Sequence, residues 1–523
     1  MNVEVELELD ARRLPADADE RLRPQIAAAC GIAEEDLLSY TIRKRSLDAR
    51  KKPQIRLLYR ITAELRDGIV PGNPVKPAGN PLPEWRVPDN AHALCHPLVL
   101  GTGPAGLFAA LVLAEAGAKP MVLDCGRDVV RRKQDIDRFF QTRELNPKSN
   151  LLFGEGGAGT WSDGKLYTRV RDERIRYVMN AFVAAGAPRE ILYYSHPHLG
   201  SDRLPSLIAA IRNRILALGG QFLWDTEVVG VETGNARFRN LRLSTGEKLE
   251  GPAAIIACGH SARNLIRSLT DVAESARKGF QIGCRIEHPQ RFINRTQYGS
   301  ELPPPSLGAA EYLFSSRGNG EIPGATTFCM CPGGEILPAV CDCNTLSTNG
   351  MSKAARDGAF ANSAIISTLP PDTFSTTEEA LAFLTALEES VFRSGGSDYT
   401  APAQTARDFL RHERGPVPKE SSYRMGLKAE RLDLLLPAPI RSALENALRH
   451  FDRLAPGFLR NGTLIGIESK VSSPVRFLRN PETLESSVPG LYIGGEGGGM
   501  AGGIISAALD GVKLAEALLK RRT

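Results

Sequence analysis

The sequence has no apolar run long enough to cross a membrane: its longest stretches, such as residues 107–118, fall well short of the roughly 18 residues a span requires. Its start, MNVEVELELD, alternates apolar and acidic residues and carries no basic segment followed by an apolar one, so no signal peptide is read there. These two absences predict a soluble, cytoplasmic protein with no membrane partner. Cysteine is sparse and odd in number, nine residues at positions 30, 95, 125, 258, 284, 329, 331, 341 and 343, which argues against a disulfide framework. An excess of one charge is missing too. Lys and Arg number 65 against 60 Asp and Glu, a net +5 that neither demands nor forbids a nucleic-acid partner.

What the chain does have is glycine, 50 residues gathered in local clusters within an ordinary composition of 42% hydrophobic and 24% charged residues. At 523 residues it exceeds what one core usually serves, so two or three domains are expected. Residues 1–90 read as a small α+β module with strands at 3–9, 38–45 and 54–65 and a helix at 18–30. It is followed by a Pro-, Gly- and Asn-rich stretch, 67–97, that fits a linker better than a packed element. Residues 91–270 open with strand, glycine turn, helix and strand, half of a mononucleotide-binding fold. Residues 271–462 mix Pro-rich turns, strand-like runs and a helical pattern at 381–392, as an inserted α+β substrate or cap domain would. Residues 463–523 return to strand, glycine turn and helix.

The pattern GxGxxG occurs three times, at Gly101/Gly103/Gly106, Gly154/Gly156/Gly159 and Gly497/Gly499/Gly502. Only the first lies between a strand and a helix with an acidic residue, Asp124, closing the next strand. There Gly101 permits the tight turn, Gly103 lets backbone approach a pyrophosphate, and Gly106 lets helix and strand pack closely. Pro104 and Ala105 open the helix whose N-terminus favours the negative charge, and Asp124 is placed to accept from the adenosine ribose. This fingerprint suits NAD and FAD alike. The C-terminus separates them. A second strand there ends in Gly494, Gly495 and Glu496, and after Gly502 and Gly503 a helix begins at Ile504. A carboxylate at Glu496 can take ribityl hydroxyls, and the helix N-terminus can face the flavin's N1 and O2 edge. A second glycine turn nearly 400 residues after the first implies a cofactor gripped at both ends, which FAD satisfies and NAD does not.

The chain resembles the bacterial FAD-dependent dehydrogenases built on the glutathione-reductase type of flavin fold. The resemblance is carried by SLDARKK (46–52), LGTGPAGLFAAL (100–111), GGAGTWSDGKL (156–166), PHLGSDRL (197–204) and ACGHSAR (257–263). It continues in FCMCPGGE (328–335), TNGMSKAARDGAFAN (348–362), IESKVSSPVRF and GEGGGMAGGIISAALDG. It implies an α/β class, a Rossmann-type FAD-binding domain with an inserted α+β cap and a small N-terminal α+β domain. It also implies that Gly156, Gly157, Ser162 and Lys165 lie along the flavin, with Ser473, Pro474 and Arg476 before its ring. The family's Ala-Thr-Gly turn reads Ala257, Cys258, Gly259 here, a departure at the threonine.

Further groups are candidates for chemistry. His198 suits a general acid or base, or a hydrogen-bonded structural role. Lys165 and Arg476 suit an anionic substrate or reduced flavin, or surface ion pairs. Glu468 can pair with Arg476 or Lys470, or serve as a base, with the structural role favoured. Cys329 with Cys331, and Cys341 with Cys343, form two CxC pairs; the spacing is not that of zinc sites, no metal is predicted, and Cys331 is the thiol expected near the flavin. If these pairs lie in strands, both thiols of each fall on one face. No CxxC or CxxxxC follows the Gly101 turn, so a disulfide-reductase mechanism lacks its residues. The run 41–60 carries eight Lys and Arg against one Asp, with few aromatics; a solvated strand face is favoured over an RNA site. The function expected is hydride or electron transfer between bound FAD and a small organic substrate or electron carrier. Since no second nucleotide domain is read, NAD(P)H as donor would bind transiently. The alternatives are a flavin monooxygenase, or a flavin-stabilised RNA- or protein-binding module using the basic N-terminal domain.

Overall fold

The computed structural model describes residues 1–51, 54–79, 84–90 and 93–521. The opening alternation becomes strand β1 (Asn2–Asp10), with Val3, Val5 and Leu7 turned inward. It is followed by α1 (Arg23–Cys30), β2 (Leu37–Lys51) and β3 (Gln54–Leu65). β1 and β3 pair antiparallel, and β2 lies outside β3. The acids of β1 meet the basic run across the sheet: Arg56 pairs with Glu8, and Arg60 lies 3.2 Å from Glu4 and 3.6 Å from Glu6. Arg56 and Arg60 are therefore one side of a cross-strand charge ladder.

The stretch expected to be a linker is laid onto the protein where it is described. Lys76–Pro77 adds a strand to β1, and the Asn73 amide donates to the carbonyls of Ala28 and Ala29 at the end of α1, at 3.1 and 3.2 Å. Trp85 packs edge-on against Tyr177, with ring centroids 5.0 Å apart. Residues 80–83 and 91–92 of that stretch lie outside the described residues.

The nucleotide unit follows as β4 (Leu98–Leu100), α2 (Pro104–Glu115), β5 (Met121–Leu123), α3 (Val129–Thr142), α4 (Leu204–Ala217), β6 (Gln221–Leu223) and β7 (Ala254–Ile256). Its strands are short and almost wholly apolar, as strands covered on both faces are. α2, with residues 105–114 all buried, packs with α4 on one face, and an antiparallel ribbon spanning 228–250 covers the other.

The cap is built from β8 (Phe280–Pro289), β9 (Ala325–Cys331), β10 (Phe360–Leu369), α5 (Thr377–Gly395), β11 (Ala401–Thr405), α6 (Ala438–Leu454) and β12 (Thr463–Glu468). Its sheet runs β9-β10-β8-β12-β11, with one short strand added at each edge. This corrects the boundary expected at residue 463, because β12 is buried between β8 and β11 and belongs to the cap. The chain then returns through β13 (Leu491–Ile493) and α7 (Ile504–Lys520), completing a five-stranded parallel sheet in the order β13-β7-β4-β5-β6.

Candidate functional site

The glycines of the first turn divide into two kinds by what a side chain would meet. A Cβ on Gly101 (φ +95°) would stand 2.3 Å from the Ala257 carbonyl oxygen, and one on Gly106 would stand 1.8 Å from that of Gly101. These positions are glycine because strand and helix touch there. Gly103 is different: its Cβ would meet only the Gly157 Cα, at 3.9 Å. Gly259 has nothing within 4 Å and Gly503 only the Ser506 Oγ at 3.8 Å, so all three border open space.

The three glycine-rich turns converge on that space. A Cβ on Gly157 would lie 3.0 Å from the Gly103 Cα, and one on Gly159 would lie 3.3 Å from Ile504 and 3.7 Å from Pro104. A Cβ on Gly495 would lie 3.0 Å from the Ala105 Cβ. Gly156 (φ +81°) opens the middle turn, and Ser162 braces it by donating to the Gly159 carbonyl at 2.7 Å. Asp124 is buried, and its Oδ2 accepts from the Thr102 N–H at 2.9 Å and the Thr102 hydroxyl, while Oδ1 accepts from the Gly126 N–H at 2.9 Å. A carboxylate has about four lone-pair sites, so one is left over. Bracing the turn is a role the sequence reading missed.

At the other end, Glu496 accepts from the Ser473 N–H at 3.1 Å, and its Oε2 would lie 2.9 Å from a Cβ on Gly502. Burial pushes its pKa up, opposed by Lys278 and by the Ser473 hydrogen bond. Two residues that the sequence did not signal hold this turn. Arg479 donates to both carboxylate oxygens of Asp510 at 2.8 Å and to the Ile493 carbonyl at 2.7 Å, and Asp510 accepts from the Gly495 N–H at 2.7 Å. An Arg and an Asp thirty-one residues apart follow no helix or strand period, so only the fold reveals the pair. Cys258 stands where the resembling family has threonine, with its sulfur 3.1 Å from the position of a Gly497 Cβ.

Lys165, His198 and Cys331 lie close together. Lys165 pairs with Asp163 and donates to the Met330 carbonyl, next to Cys331. Asp163 also accepts from Arg356, Nε at 3.0 Å and Nη2 at 2.5 Å, and Arg356 pairs in turn with Glu311. Burial alone would raise the Asp163 pKa, but Lys165 and Arg356 outweigh it and hold the carboxylate well below its usual range. Burial works against charge on Lys165, yet Asp163 more than offsets it, so Lys165 is a fixed cation rather than a base. His198 bridges to Lys165 through the backbone and faces the Ala354 carbonyl with Nε2 at 3.1 Å. Burial and Arg356 lower its pKa, leaving it neutral with the proton assigned to Nε2.

The structure corrects the reading of the thiols. Cys331 is 1% exposed, its sulfur between the Cys329 carbonyl and Arg285 Nη2, 3.3 Å from each, and burial raises its pKa. Cys329 is the exposed one, at φ +43° where β9 bulges between Phe328 and Cys331. The bulge is why the two thiols do not share a face. Cys341 and Cys343 lie in a turn rather than a strand, one buried and one exposed. Among the described residues no group of three or more His, Cys, Asp or Glu side chains is placed to hold a metal ion. Glu468 pairs with neither Arg476 nor Lys470. It pairs with Arg285 at 2.8 Å, both side chains buried, and Lys470 pairs with Glu388 at 3.2 Å. Arg476 is exposed between buried Val475 and Phe477, and among the described residues no hydrogen bond or ion pair joins it to the Lys165 cluster. Its backbone lies against the C-terminal turn, with the Arg476 Cα 2.9 Å from the position of a Gly499 Cβ.

A family model described as FAD-dependent protein, C-terminal domain-like, matches residues 279–471, and a domain of unknown function matches residues 1–64. An uncharacterized protein of Clostridium beijerinckii is 36% identical over 512 residues, covering 96% of each chain. The chain belongs to the FAD-dependent protein family. FAD is its cofactor, and the converging cradle fits it, since Gly103, Gly259 and Gly503 leave space that any side chain would fill.

Among solved structures, a triple mutant of the flavin-dependent brominase Bmp2 matches 81% of this FAD-dependent chain and 79% of its own at 11% identity, with a TM-score of 0.37. CtdE in complex with FAD matches 81% of this chain and 84% of its own at 10% identity and a TM-score of 0.31. A point mutant of 2-methyl-3-hydroxypyridine-5-carboxylic acid oxygenase matches 38% of this chain at 19% identity and a TM-score of 0.23. This chain spans about half of that oxygenase, 48% of its length.

Proposed function

We propose that this protein is an FAD-dependent oxidoreductase of the dehydrogenase or reductase kind, with a nucleotide unit of the glutathione-reductase type and a substrate cap. Bound FAD supplies the two-electron acceptor and donor chemistry. The reading rests above all on one observation: three glycine turns, from residues 101–106, 154–159 and 495–503, border one open cradle with the fixed cation Lys165 in the loop that follows the middle turn.

In this reading Gly101, Gly103, Pro104, Ala105 and Gly106 present the α2 N-terminus to the pyrophosphate, and Asp124 gives its remaining lone pair to the adenosine ribose. Gly156, Gly157, Ser162 and Gly259 line the flavin's length. Gly495 and Glu496 hold the ribityl chain, and Gly502, Gly503 and Ile504 place the α7 N-terminus against the edge where negative charge collects on reduction. Lys165 offsets that charge, and neutral His198 keeps its Nε2–H on the Ala354 carbonyl, which orients rather than titrates the site. The substrate is a small organic molecule or electron carrier, anchored by the exposed Arg476 guanidinium, which suits an anionic group. NAD(P)H, if it is the donor, binds transiently under the cap.

Anaerobic mixing of the holoprotein with NADH, NADPH and a panel of small organic anions tests this. The visible flavin band should bleach with at least one donor. Bleaching by dithionite alone would remove the dehydrogenase reading, and rapid reoxidation by oxygen with a hydroxylated product would replace it with a monooxygenase.

A further inference from the structure

Arg132, on the inner face of α3, is completely buried. Its Nε donates to the Asn150 carbonyl at 2.7 Å, and its Nη1 faces the carbonyls of Gly154, Glu155 and Gly157 at 3.1, 2.6 and 3.0 Å. The guanidinium stacks 4.5 Å over the Trp161 ring. Its Nη2 is buried without a hydrogen-bond partner among the described residues. No carboxylate hydrogen-bonds it: Glu155 places its Oε2 on the Val129 N–H and Arg212, each at 2.7 Å, and Asp124 and Glu155 act on it only as neighbouring charges. Burial pushes the Arg132 pKa down to about 9, which leaves it charged at neutral pH. A buried cation hydrogen-bonded by carbonyls and, at 3.4 Å, the Thr160 hydroxyl rather than by a carboxylate is costly, so its place calls for a structural or binding return.

The loop it grips is the middle glycine turn. Gly157, whose carbonyl it takes, sits at φ +61° directly against Gly103, the glycine that borders the cradle. We propose that Arg132 is a positioning residue for the cofactor's pyrophosphate: it fixes the 150–157 loop against the first turn and lends that end of the cradle a positive charge that no carboxylate hydrogen-bonds. A diphosphate on the other side of the loop adds a counter-charge to those of Asp124 and Glu155. The inference rests on the FAD reading of the cradle and names a residue outside the glycine fingerprint.

The test compares ADP with adenosine, which differ by the diphosphate, in titrations of apoprotein from the wild type, Arg132→Gln, Arg132→Lys and Trp161→Leu. FAD is titrated in parallel, and far-UV circular dichroism with thermal melting checks folding. In Arg132→Gln the preference for ADP over adenosine should fall by about tenfold or more, and Arg132→Lys, which keeps the charge, should restore most of it. Trp161→Leu should keep the preference while weakening both ligands. Equal weakening of ADP and adenosine in Arg132→Gln, or no weakening at all, would reduce Arg132 to a structural residue and overturn the proposal. Should Arg132→Gln fail to fold, Arg132→Lys carries the test: an unchanged ADP preference supports the charge role, and a preference lost in a folded protein overturns it. A wild-type protein that binds neither FAD nor ADP would instead sink the cofactor reading beneath.

Discussion

Gly511, in the last helix, faces the carbonyl oxygen of Ala105 in the first, and a Cβ on Gly511 would stand 1.9 Å from that oxygen. The two helices whose N-termini border the cradle thus touch backbone to backbone, about 400 residues apart in sequence. Ala in place of Gly normally stabilises a helix interior by roughly 0.5–1 kcal/mol. Here the contact decides the sign. Gly511→Ala should cost about 1–3 kcal/mol through overpacking and weaken FAD binding, because α7 carries the Gly495 turn away from Ala105. Thermal melting with FAD titration checks both, and a stabilised variant would contradict the helix contact.

The two kinds of glycine in the first turn predict two kinds of failure. Gly103→Val should keep the fold of the apoprotein and lose FAD, since its side chain enters only the open cradle. Gly106→Val should instead lose the fold, since its Cβ already overlaps the Gly101 carbonyl. Circular dichroism and cofactor content on the two purified variants separate the outcomes.

This division shows what was legible beforehand and what was not. The fingerprint at Gly101, Gly103 and Gly106 and the second turn at Gly495 and Glu496 could be read because a glycine turn between an apolar strand and a helix is local. The middle turn's place against Gly103 and Ile504 was carried only by resemblance, since it follows no strand. The pairs Arg479–Asp510, Arg285–Glu468 and Lys470–Glu388 could not be read at all, because buried ion pairs across distant elements leave no periodicity. Glu468 had two basic residues close by in sequence and bonded neither, since the strand pairing of β12 with β8 sets Arg285 beside it. Cys331 was read as the thiol near the flavin from its place before Pro332 and Gly333; the bulge that buries it and exposes Cys329 does not show in a CxC spacing.

Arg476→Ala should lower turnover by about tenfold or more while FAD affinity stays within about twofold. Stability should change by no more than about 0.5 kcal/mol, as for an exposed surface side chain. Steady-state kinetics with the donor found by anaerobic bleaching reads the first, and unchanged turnover would remove Arg476 from the substrate site.

Acid should unfold the protein well before its carboxylates titrate. Burial pushes His260 down to about 3, with Lys470 and Arg263 adding to it, and His288 down to about 4. Both lie below the unfolded value of about 6.5, so their neutral forms support the fold above that pH. Stability is lost as pH falls through about 6.5 towards the folded values, by roughly 2 kcal/mol per histidine between about pH 7 and 5. Urea unfolding at the two pH values should show the loss, and His260→Asn should remove about half of it. A wild-type stability that is flat over this range would show that the two rings are not held neutral by burial.

A cradle that grips one cofactor at both ends is tested most directly by the affinity of the apoprotein for FAD, FMN and ADP under one set of conditions. FAD should bind at least about 100-fold more tightly than either half, because only FAD reaches both the Gly103 turn and the Glu496 turn. ADP binding as tightly as FAD would mean that the C-terminal turn holds nothing, and FMN binding as tightly would mean the same of the first.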